Sequence, residues 1–146
     1  MPASDTFEND FLALFFTNVT WLDVGVAAGI VGAATPGNLT VALSTATLTD
    51  TSTQATSEAA YGAYARVNVA RSAAAWTVAT GTVDNDAVIT FATATSGSET
   101  ELSFSLGTTL VADEMYIRAG FLARSFDRLM EAIAQDLGAF CIAPYT

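Results

Sequence analysis

The strongest constraint on this chain is a series of short runs with two-residue periodicity, broken by turn-forming residues. In NLTVALSTA, starting at Asn38, Leu39, Val41 and Leu43 alternate with Thr40, Ala42 and Ser44, as in a half-buried strand. In YARVNVAR, Ala65, Val67 and Val69 take one face, and Arg66, Asn68 and Ala70 the other. AWTVATGTV and AVITFAT read as two further strands, with the DND at 84–86 as the hairpin turn between them. TELSFSL closes the set with Leu102, Phe104 and Leu106 inward, and a further strand is predicted from Met115 to Leu122, with Gly120 as a kink. Strands this short, with turns between them, predict a mainly β fold with flanking helices: an antiparallel β-sandwich or barrel.

Each flank has helical periodicity. Over residues 4–17, Phe7, Phe11, Leu14 and Phe15 form one apolar face, Leu12 and Phe16 lie off it, and Ser4 or Asp5 is placed to cap the start. A helix apolar on more than one side either plugs a core or meets a neighbouring subunit. A second helix is predicted over 125–137. Ser125 is its cap, Phe126, Leu129, Met130, Ile133 and Leu137 its apolar face, and Gly138 its stop. AFCIA reads as a last short strand. Residues 21–37, rich in glycine, read as a loose connector, and the threonine-rich 47–63 region as a long surface loop of the kind that often carries function. The expected organisation is one domain over 1–146: a helical arm to residue 20, a β core at 38–107, and a strand-plus-helix extension after it.

Composition narrows the function. The chain has 15 acids, 5 arginines, no lysine and no histidine, for a net charge of −10. That balance argues against nucleic-acid and anionic-membrane partners, both of which need cations. No stretch approaches the ~18 apolar residues of a membrane span, and the acidic start is unlike a signal peptide. Cys141 is alone, so no disulfide can form within the chain. These features point to a soluble protein made in a reducing cytoplasm. Catalysis is not expected: there is no His or Lys base, no nucleophile elbow and no phosphate loop. No metal or cofactor is expected either. The DND run lacks the spacing of a calcium loop, and Glu99 with Glu101 reads as two like charges on one exposed face.

The residues singled out as interface candidates are Phe7, Phe11, Phe15, Phe16, Arg66, Arg71, Trp76, Phe126 and Met130. Arg66 and Arg71 can pair with carboxylates of a neighbouring subunit or with local acids of their own chain. On the first alternative, charge reversal at Arg66 weakens assembly more than folding. Trp76 reads as a core or interface anchor, with sugar stacking as the other option.

The succession FFTNVTWLDVG, PGNLTVALSTATLTD, QATSEAAYGAYARVNVARSAAAWTV and VDNDAVITFATATSG resembles a family of small bacteriophage virion structural proteins usually labelled tail-fibre proteins. The likeness spans about residues 4–107. STATLTD stands where that family carries a histidine, and TFATATSGS lacks its usual proline. The resemblance implies a virion component with no catalytic residues, assembled in the host bacterial cytoplasm. A chain this short has no shaft. The expectation is therefore a capsid decoration or cement protein, a trimer or dimer bound to the major capsid protein or other virion proteins. The alternatives are a tail-fibre or baseplate component contacting the host, or a carbohydrate-binding module using Trp76 and the 47–63 loop.

Overall fold

The computed structural model describes residues 4–22, 24–108 and 113–120. They form two compact units that interleave along the sequence. The first takes residues 4–37 and Ala70–Val88, the second Asn38–Val69 and 89–120. The chain is mainly β, with one short N-terminal helix and two antiparallel sheets, and neither sheet closes into a barrel among the described residues. The helix predicted at 125–137 and the AFCIA strand lie outside the described residues.

The first unit is built on helix α1 (Asp5–Leu12), which runs into a π-helical turn at Ala13–Thr17. Ser4 is the cap, its hydroxyl accepting from the Phe7 N–H at 3.3 Å. The π turn ends at Asn18, in the left-handed region at φ 60°. A π turn holds one residue more than an α turn, so side chains beyond it leave the 3.6-residue phase. The predicted face is not the one that packs, and the difference already lies within α1, ahead of the π turn. Leu12 and Phe16, both off the predicted stripe, are buried, whereas Phe7 and Phe11 on the stripe are each 50% exposed.

Phe16 packs edge-on against Trp76, with ring centroids 4.9 Å apart. Trp76 opens strand β3 (Trp76–Ala79), which pairs with β4 (Thr82–Asn85). The hairpin therefore turns at Thr80–Gly81 and not at the DND, which lies at the end of β4 and beyond. Thr80 and Gly81 both have positive φ, at 52° and 73°. Such a two-residue connection matches the natural twist of paired strands. Gly81 also donates its N–H to Asn9 Oδ1 at 2.8 Å, which docks the hairpin tip on α1.

The second unit is a four-stranded sheet. Its strands are β1 (Asn38–Ser44), β2 (Val67–Ala70), β5 (Ser103–Gly107) and β6 (Met115–Gly120), in the order β2-β1-β5-β6. β1 and β5 pair in register from Thr40 opposite Gly107 to Ser44 opposite Ser103. β2 keeps the predicted alternation, with Val67 and Val69 half-buried and Asn68 and Ala70 exposed. β1 does not: all its residues after Asn38 are buried, polar ones included. Thr40 remains satisfied by donating to Asn68 Oδ1, and Ser44 by donating to the carbonyls of Thr56 and Ser57. Leu102 is 40% exposed and falls outside β5. AVITFAT forms no regular strand; Ile89 and Phe91 are buried as anchors of an irregular run.

Residues 47–63, expected to be a surface loop, fold back onto the sheet of the second unit. Leu48, Gln54, Ala59 and Tyr61 are buried there. Gln54 reaches the β1–β5 pair, its amide donating to Thr40 O at 2.8 Å.

Candidate functional site

Each of the two arginines that stood out in the sequence is held inside its own unit. In the second unit, Arg66 grips Glu58 with two parallel bonds: Nε to Oε1 and Nη2 to Oε2, both 2.6 Å. Its third arm, Nη1, meets Asp113 Oδ1 at 2.6 Å. Tyr64 extends this cluster by donating to Glu58 Oε1 at 3.0 Å while accepting the Leu43 N–H at 3.0 Å. Hydrogen bonding to Glu58 raises the Arg66 pKa above the usual guanidinium value, and burial pushes the Tyr64 phenol well above its own. Both side chains keep one protonation state across any ordinary pH. The cluster is a fixed tie between the 58–66 segment and the start of β6, and it does not resemble a proton-transfer device.

In the first unit, Arg71 donates from Nε to Phe15 O at 2.7 Å and from Nη2 to Leu14 O at 2.8 Å. The last turn of a helix exposes carbonyls without partners, and a cation there also meets the negative end of the helix dipole. Arg71 is therefore a helix C-terminal clamp supplied from 56 and 57 residues away in sequence.

Trp76 is 1% exposed, and its indole N–H donates to Ala70 O at 3.0 Å. It presents no open ring face to a sugar. Phe16 is equally buried, so both act as core of the first unit and leave the set of contact residues. Phe15 is half-buried, stacked on Phe11 at 6.5 Å. Phe126 and Met130 lie outside the described residues.

What the first unit does leave open is apolar. Phe7 and Phe11 are joined by a loop that the sequence presented only as a connector. Asn18 closes its base through paired bonds with the Ala33 backbone, 2.8 Å each. Trp21 and Ile30 exchange backbone hydrogen bonds of 3.0 and 2.8 Å above that base. Gly29 turns the chain at φ 64°, where a Cβ would strike the Trp21 carbonyl. Phe7 stacks edge-on against Trp21 at 5.0 Å, so the helix face and the loop are continuous. Along the loop, Leu22, Val26 and Val31 are 64%, 64% and 67% exposed. The sequence did carry a signal: Asn18 to Gly37 holds a single charged residue, Asp23, in a chain with 20 acids and arginines.

A carboxylate pair remains in the second unit. Glu99 Oε1 accepts the N–H groups of Ala60 and Tyr61, both at 2.7 Å. Both oxygens of Glu101 are shielded and have no hydrogen-bond partner among the described residues. Burial, then the neighbouring Glu99, pushes the Glu101 carboxyl above its ordinary pKa. The two acids therefore do not form the exposed pair the sequence suggested. No cluster of three or more metal-ligating side chains occurs among the described residues. No described helix is long and apolar enough to cross a membrane.

Two units braced by internal arginines, with an apolar face exposed among the described residues, are the features that any account of the chain must explain. A family model described as Podophage GP4 fiber I protein gp80 matches residues 2–119, and the chain belongs to that family. It is thus a bacteriophage virion structural protein, and the match reaches past the expected limit at 107 to include most of β6. No curated protein and no solved structure matches the chain.

Proposed function

We propose that this chain is a tail-fibre component of its phage, acting as a non-enzymatic module within the fibre assembly. The observation that carries this reading is the family match over residues 2–119, whose description is that of a fibre protein. It favours the tail over the head-decoration role expected from the chain's small size. The apolar face of the first unit supports attachment to other virion proteins but suits either location. Proximity labelling from the chain on intact particles, followed by micrographs with gold-tagged antibody, tests the assignment. The expected result is label on the tail or its fibres. Label distributed over the head surface would overturn it and restore the decoration role.

A further inference from the structure

Resting on that reading, we infer that the Phe7–Phe11 face and the 18–33 loop form the attachment surface for a different virion protein, one whose apolar contact area is bordered by arginine or lysine.

Area comes first. Phe7, Phe11, Leu22, Val26, Ile30 and Val31 are between 44% and 67% exposed. Together they present roughly 600 Å² of apolar surface, at the upper limit for a monomer and most of the ~800 Å² one partner gives a standard interface. The surface is also pre-organised. The Asn18–Ala33 bonds and the Trp21–Ile30 pair hold the loop, so little ordering remains to be done on binding.

Charge then selects the occupant. Asp5, Glu8 and Asp10 lie on the same helix as Phe7 and Phe11. Arg71, the one arginine among the described residues of this unit, is spent on the carbonyls of Leu14 and Phe15. The charges on the helix that carries the patch are thus all acidic, and the described residues of this unit hold no free arginine to set against them. A second copy would bring the same acids to the same contact, on a chain of net charge −10. A partner with a basic border meets both the apolar centre and the acidic edge.

The test places a photo-cross-linking phenylalanine analogue at Val26 of the full chain, with a control at the exposed Thr90, in assembled particles. The expected result is a Val26-dependent cross-link to a peptide of another virion protein with Arg or Lys close by, absent from the control. The triple variant Leu22→Ser, Val26→Ser, Val31→Ser should keep its circular-dichroism melt yet enter particles at least tenfold less. Asp5→Asn with Asp10→Asn should also lower incorporation, at least threefold. A cross-link to another copy of this chain or to lipid, or normal incorporation of either variant, overturns the inference while leaving the fibre reading in place. Absence of the chain from purified particles would overturn both.

Discussion

Replacing Arg66 with methionine separates the internal-lock account from the interface account. The substitution keeps most of the side chain's length but removes three charge-assisted bonds of 2.6 Å. The contributions are unequal. The Arg66 and Glu58 side chains are 17% and 21% exposed, so their bidentate pair is well shielded. Asp113 is 42% exposed, and solvent screens its bond to about 0–1 kcal/mol. Hydrogen bonds to charged groups contribute about 1.5–3 kcal/mol each when covered. Losing the pair also leaves the Glu58 carboxylate with Tyr64 as its remaining hydrogen-bond donor in the cluster. A net loss of about 2–4 kcal/mol follows, less than the 3–5 kcal/mol typical of breaking a fully buried pair. For a chain of this size that lowers Tm by roughly 5–12 °C.

Urea titration of the wild type, Arg66→Met, Glu58→Gln and the double variant gives the coupling energy directly. A coupling of about 1.5–3 kcal/mol is expected, with little change between low and moderate salt. Coupling near zero would refute the lock. So would an Arg66→Met protein as stable as the wild type but missing from particles, because that pattern belongs to an interface cation. Charge reversal at Arg66 is on this account a folding lesion first, the opposite order to the one the sequence suggested.

Two further substitutions test the other constrained groups. Arg71→Met should uncap the π turn and speed amide hydrogen exchange at residues 13–19 by about tenfold or more, while Arg71→Lys, a point charge in place of a fork, should restore only part of the protection. Glu101 has its pKa raised by folding, so the native chain holds that proton more tightly than the unfolded one, and stability drops as pH rises through the folded value. Glu101→Gln should therefore raise the urea midpoint at pH 7.5, with the gain vanishing by about pH 3, where the carboxyl is protonated in both states; equal gains at both pH values would refute the burial argument.

Local signals were readable in the sequence, and those set by distant partners were not. The Ser4 cap, the alternation of β2 and the start of β1 depend on neighbours within a few residues, and each formed as its pattern indicated. The buried face of α1 differs from the predicted one because the helix is apolar on two sides, and periodicity does not say which side meets a partner such as Trp76. The β3–β4 turn was misplaced because DND is a strong turn former, whereas Thr80 adopts positive φ only in company with Gly81 and the Asn9 side chain. AVITFAT has high strand propensity, yet it packs as an irregular run, since propensity yields to tertiary packing. The buried residues of the 47–63 segment include Gln54, which meets Thr40 O, and a glutamine in a polar run gives no hint of that.

The fate of the arginines explains why a chain so rich in acids bears so few cations. The three among the described residues all bind groups of this chain: Arg66 holds Glu58 and Asp113, Arg71 holds helix carbonyls, and Arg118 holds Asp50 and the Leu48 carbonyl. Each ties together segments that no regular hydrogen-bond ladder connects. In these described segments, positive charge is consumed by folding, and exposed acids such as Asp5 are left without an arginine. That division has a consequence for assembly. A surface with uncommitted arginines could pair with another copy of itself through Arg–carboxylate contacts, whereas a surface showing acids and apolar side chains selects for a partner that brings the cations. Raising the salt concentration should therefore loosen attachment to the particle well before it disturbs either unit's fold, because the Arg66–Glu58 pair is shielded and exposed acids such as Asp5 are not.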